Sequence, residues 1–259
     1  MNYSENANNV AFIKKQVSSI AKASRVQINR LIGLTSMLEN AQNSENREII
    51  SEVILTIYKL LSQNMNMMYL YMEELNMNQS SLISAELFLR SIIAECTKTL
   101  DASETNLQLD IKCEKSCIKI DEKAFILVIM NLLQNALLYS PPKTTVIVTL
   151  DNVTIDQTDY VSISVKNLSG LDGVGFARDK EECSGQGLFI CMKAAETNGG
   201  KVEYIEEGGS ITAKLLLPLI EESEPSELSS KLAEYISDKY TPVNLFMQEV
   251  LATRKAVRL

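Results

Sequence analysis

The chain has 259 residues, 46% apolar and 22% charged, an ordinary balance for a folded soluble protein with a sizeable core. Its 25 basic and 33 acidic side chains leave a net charge of −8, which argues against a nucleic-acid-binding face. Histidine and tryptophan are absent. That excludes imidazole metal ligands, Ser-His or Cys-His nucleophile pairs, and any phosphohistidine carried by this chain.

Proline and glycine are unevenly placed. The first 140 residues hold no proline, and nine of ten glycines fall within residues 170–209. The chain therefore opens with long uninterrupted elements, and its glycine-dependent turns cluster late. Residues 10–40 carry one apolar stripe at helical spacing, through Ile13, Val17, Ile20, Ile28, Leu31 and Leu38. Residues 41–46 are polar and turn-like, and Ser44 is a candidate cap for a second helix reaching about residue 76. In that helix Ile50, Ile54, Ile57, Leu61, Asn64, Met68, Tyr71 and Leu75 alternate four and three apart, a heptad seam with one polar member. Two such helices predict an antiparallel hairpin that buries its stripes by pairing with a second copy in a four-helix bundle.

Residues 77–82 read as a linker. Beyond it the pattern predicts a helix over 84–101, a strand at 107–111 partnered by 117–120, and a strongly apolar helix from Asp121 to about 139. Ala124 to Met130 is the longest apolar run and reads as core. Strands follow at 144–150 and 160–165, a helix at 186–198, then strands at 201–204 and 211–217. This mixture predicts an α+β fold with a two-layer α/β sandwich. The tail from 219 starts acidic. Thr241-Pro242 then opens a helix whose Phe246, Met247, Val250 and Leu251 are expected to pack on the protein, with Arg254, Lys255 and Arg258 at its end. The expected domains are 1–80, 81–218 and 219–259. No run approaches a membrane span, and no secretory signal is visible at the N-terminus, so a cytoplasmic location is expected. Five scattered cysteines fit reduced thiols. Cys113 and Cys117 are close enough in sequence for a hairpin pairing, and a zinc site is not expected.

The stretch from Asp121 to Pro141 is the most informative. Asp121, nine residues, then Asn131-Leu132-Leu133-Gln134-Asn135-Ala136-Leu137-Leu138-Tyr139-Ser140-Pro141 resembles the N-box of the sensor histidine kinase ATP-binding domain, of the GHKL type that includes gyrase. Asn131 and Asn135 are four apart and share a helix face. The resemblance implies that Asn135 coordinates Mg²⁺ on a bound ATP. An amide at Asn131 is no general base, so efficient hydrolysis is not implied. Ser184-Gly185-Gln186-Gly187-Leu188-Phe189-Ile190 resembles the family's second glycine box, where Gly185 and Gly187 would admit phosphates to a helix N-terminus. Residues 198–202 and 208–218, with Thr212, resemble the family's closing segments.

The departures are equally specific. Asn167 stands where the family's adenine-binding aspartate belongs, and Ser169 and Leu171 replace two glycines of the first glycine box. The phenylalanine box and long lid are not recognisable, and Leu138 replaces a frequently basic residue. Residues 31–38 resemble the family's hairpin after the phosphoacceptor motif. Aligned back, Lys22 falls at the acceptor histidine, Ala23 at its acidic neighbour and Gln27 at the proline; Arg25 alone is retained.

The resemblance therefore implies a degenerate bacterial two-component kinase without its acceptor histidine. The function expected is a pseudokinase or signalling adaptor of a two-component system or phosphorelay. It would be homodimeric and bind a response regulator or partner histidine kinase, with residues 18–30, including Lys22 and Arg25, as the contact surface. The alternative is an active ATP-dependent kinase acting in trans on a partner's histidine through Asn131, Asn135, Gly185 and Gly187. The altered pocket is compatible with being empty, with weak nucleotide binding, or with being filled by the chain's own loop.

Overall fold

The computed structural model describes residues 31, 33, 34, 37, 45–74, 80–100, 105–168, 186–221, 230–238 and 241–256. In chain order the elements are α1 (Glu45–Glu74), β1 (Ser81–Ser84), α2 (Ala85–Thr99), β2 (Thr105–Ile111), β3 (Cys117–Ile120), α3 (Glu122–Tyr139), β4 (Thr144–Ile155), β5 (Thr158–Leu168), α4 (Gln186–Thr197), β6 (Lys201–Glu207), β7 (Ser210–Pro218), α5 (Ser230–Ser237) and α6 (Pro242–Ala256).

Five strands form one mixed sheet in the order β2-β4-β5-β7-β6. Only β2–β4 is parallel. Two tight hairpins set the antiparallel register. Asp156 and Gln157 both adopt positive φ between β4 and β5, as do Gly208 and Gly209 between β6 and β7, which matches the right-handed twist of the flanking strands. Alternate residues face one side. Val148 lies opposite Val165, Leu150 opposite Ile163, and Ile163 opposite Leu215, and all are buried.

That apolar face carries the helices. α3 starts because Asp121 is extended and its carboxylate accepts the Ala124 amide at 2.8 Å. Every residue from Ala124 to Leu133 is buried, as expected of a helix apolar all round. Such a helix needs cover on every side. The sheet lies beneath it, Phe88 of α2 meets its Phe125 edge-on at 5.6 Å, and α4 flanks it. The remaining side is closed by α6, whose Val243, Phe246, Met247 and Val250 are buried. The tail thus packs on the protein, with Leu251 half-buried at the margin.

The strand at 117–120 forms as expected but pairs differently. β3 is antiparallel to β1 in a separate two-stranded ribbon, while the expected partner, β2, joins the main sheet beside β4. Sequence adjacency suggested a hairpin; instead β2 follows the parallel edge of β4. Residues 81 and 82 of the expected linker belong to β1. Cys96 and Cys191 are buried free thiols. No helix among the described residues is long and apolar enough to cross a membrane.

Of the expected hairpin, α1 matches the second helix closely. Leu31, Gly33, Leu34 and Met37 are helical. The rest of the first helix, the Ser44 cap and the seam's last member, Leu75, lie outside the described residues, as do the side chains of Met68 and Tyr71.

Candidate functional site

The site is built where α1 and α6 meet α3. The helix α1 has two faces. Ile50, Ile54, Ile57 and Leu61 of the seam are 39–45% exposed. A second stripe through Leu55, Ser62, Asn66 and Tyr69 is buried. The buried stripe holds two polar residues, so apolar periodicity does not reveal it.

Asn66 meets Asn131 of the N-box helix. Asn131 Nδ2 donates to Asn66 Oδ1 at 3.0 Å, and Asn66 Nδ2 donates to Asn131 Oδ1 at 3.2 Å. Asn131 Nδ2 also donates to the Leu127 carbonyl at 2.8 Å. Asn131 is 2% exposed and Asn66 6%, so these bonds replace water at a place where unpaired amides are costly. Gly187, at the start of α4, backs onto the same group. A Cβ there would collide with Asn131 Oδ1. The N-box and the second glycine box are therefore brought together, and the space between them is closed.

A second polar contact lies beside the first. The carboxylate of Glu249, on α6, accepts hydrogen bonds from Ser62 of α1 and Gln134 of α3. It is 8% exposed. Burial pushes the Glu249 carboxyl above its ordinary value, while Ser62, Gln134 and the nearby Lys59 ammonium pull it back. At the far end of α6, the Arg254 guanidinium donates to Thr105 Oγ1 and to the carbonyls of Leu137 and Ser140. The last turn of α3 has no basic residue of its own. Arg254 places a cation on that helix's unsatisfied carbonyl end. The family's frequently basic position, Leu138, is half-buried.

The other expected residues are spread around this centre. Asn135 lies one turn beyond Asn131 and is half-buried. Asn167 is buried at the end of β5, and its Nδ2 donates to the Leu168 carbonyl at 3.0 Å. Thr212 sits on β7 opposite Lys166. Gly185, Lys22 and Arg25 lie outside the described residues. Sequence reasoning missed Ser62, Asn66, Gln134, Glu249 and the placement of Arg254. Among the described residues no group of three or more acidic or cysteine side chains is placed to hold a metal.

Residues 120–221, from the end of β3 to just past β7, match the family described as histidine kinase-, DNA gyrase B-, and HSP90-like ATPase. This segment is similar to that ATPase family, over less than half of the chain. Among solved structures, the histidine kinase AdeS of Acinetobacter baumannii is similar with a TM-score of 0.55 at 14% identity, over 75% of this chain and 96% of that one. The histidine kinase ThkA, solved in complex with response regulator protein TrrA, is similar with a TM-score of 0.61 at 15% identity, over 83% of this chain and 64% of that one. At these identities the likeness is one of fold. No curated protein sequence matches the chain.

The ATPase family implies a magnesium nucleotide. At Asn131 the amide is already taken, because Asn66 pairs with both its halves and Gly187 abuts it, while Asn135, the position the resemblance gives to Mg²⁺, is half-buried one turn further on.

Proposed function

We propose that this chain is a histidine-kinase-like pseudokinase, a signalling adaptor of a bacterial two-component system or phosphorelay that acts by binding a response regulator or a partner kinase. The observation that carries this reading is a histidine kinase-type fold in a chain without a single histidine. Lys22 at the aligned acceptor position is an ammonium near neutral pH and no nucleophile for phosphorus. The occupied Asn131 amide supports the same reading, since it competes with nucleotide. The response regulator in the ThkA complex supports that class of partner, with Lys22 and Arg25 in the proposed docking surface.

The exposed seam Ile50-Ile54-Ile57-Leu61 supports homodimerisation. Four large apolar side chains in helical register are a contiguous patch suited to a second copy.

The test is titration calorimetry of the full chain with ATP, with and without Mg²⁺, beside Asn135→Ala. Weak or absent binding is expected in both chains. Micromolar, Mg²⁺-dependent binding that requires Asn135 would overturn the pseudokinase reading in favour of a kinase acting in trans on a partner's histidine.

A further inference from the structure

The helix α6 lies beyond the stretch that matches the ATPase family, yet it touches both partners that close the N-box. Its buried apolar residues complete the cover of α3, and the same helix is the main support of α1. Three polar groups define the junction. Glu249 bridges Ser62 on α1 and Gln134 on α3, Asn66 pairs with Asn131, and Arg254 holds the end of α3. An interface meant only to be permanent gains more from apolar packing than from buried amides and a buried carboxylate. Fully satisfied polar contacts instead fix one register, and because their parting also bares Val243, Phe246, Met247 and Val250, a released α6 needs a second apolar surface to cover them. Gln134, which donates to Glu249, is the residue immediately before Asn135 on α3.

We propose that α6 is a latch that holds α1 across the N-box helix, so that Asn131 and Asn135 meet a magnesium nucleotide only when α6 is undocked. The inference rests on the reading of the N-box face as nucleotide-facing. In the docked state Asn66 stands in for the ligand at Asn131. In the released state that amide keeps only its bond to the Leu127 carbonyl. Nucleotide and docked α6 are then mutually exclusive, and anything that holds α6 away raises nucleotide affinity by the population shifted.

The test compares the full wild-type chain with the double variant Glu249→Lys/Arg254→Glu. The first change sets an ammonium facing Lys59 in place of the bridging carboxylate. The second sets a carboxylate against the carbonyl end of α3. Mg-ATP binding is measured by calorimetry, and backbone hydrogen exchange is measured on the same samples. The latch predicts at least tenfold tighter Mg-ATP binding by the variant. It also predicts at least tenfold faster exchange at residues 62–69 and 127–135, with β4 and β5 still protected. Equal affinity in the two chains would overturn it. So would loss of protection throughout β4 and β5, which would make α6 an inseparable part of the core, and so would local opening with no nucleotide bound by either chain. Transfer of labelled phosphoryl to a partner kinase's histidine by the variant alone would end the adaptor reading while supporting the latch.

Discussion

Asn66 on α1 and Asn131 on α3, 65 positions apart in the chain, hold each other by both halves of their amides, at 3.0 and 3.2 Å. Truncating one partner leaves the other amide buried with its bonds unmade, which costs about 1–3 kcal/mol. Asn66→Ala and Asn131→Ala are each expected to lose that much stability in urea unfolding. Asn66→Ala/Asn131→Ala is expected to lose less than the sum, with a coupling of about 0.5–3 kcal/mol. Strict additivity would show that the reciprocal pair is not an energetic unit.

Glu249 gives the junction a pH dependence of definite sign. A carboxyl raised by burial binds its proton more tightly in the fold than in the unfolded chain. Its stabilising contribution is full below the unfolded value and is lost as pH rises through the folded one. Glu249→Gln, a neutral isostere, is expected to be more stable than the wild-type chain near neutral pH. The advantage should shrink as pH falls into the ordinary carboxylate range. Thermal unfolding of both chains across that range measures it, and the comparison cancels carboxylates elsewhere. A gap that is constant with pH would refute the assignment.

On the outer face of α1, Ile54→Glu/Ile57→Glu touches two side chains that are 42% and 41% exposed. Each change should alter the stability of a single chain by no more than about 0.5 kcal/mol. The same pair should abolish self-association in light scattering at micromolar concentration. A wild-type chain that is already monomeric there would remove the four-helix bundle.

Much of the architecture was legible because its signals are local. Asp121 and the apolar run behind it predict α3 almost to the residue, and the alternating 211–217 pattern predicts β7. The misassigned partner of β3 shows the limit. A strand pattern carries no record of which edge it joins, and 105–111 pairs with 144–150 across an intervening helix. Both boxes are recognisable in the sequence, and in the fold Gly187 of the second glycine box abuts Asn131 of the N-box. What filled the corner was not readable. Asn66 and Ser62 are polar residues on a helix whose evident stripe is the other one. Glu249 looks like an ordinary surface acid until α1 and α3 are both placed against it.

The buried thiols provide a check on the core. Burial pushes Cys96 up to about 12, with the nearby Glu95 charge adding to it, and pushes Cys191 up as well. Neither forms appreciable thiolate near neutral pH, and the thiolate is the reactive form. Among the described cysteines, half-buried Cys113 should be alkylated first by iodoacetamide in the native state. Cys96 and Cys191 should react only on unfolding. Mass spectrometry of timed samples reads the order, and early modification of Cys191 would contradict the packing of α4 against α3.

The place of α6 in the chain has a consequence during synthesis. It follows every element that it covers, and roughly 40 residues separate the end of β7 from its last turn. At about 5–20 residues per second a ribosome takes seconds to add them. Any sheet and α3 that form before α6 is added leave the pocket for Phe246, Met247 and Val250 uncovered and apolar. A chaperone, or the matching helix of a neighbouring nascent chain, meets the same surface in those seconds. Slowed translation of the codons for residues 219–256 should therefore raise the yield of swapped or aggregated protein more than slowing within the sheet.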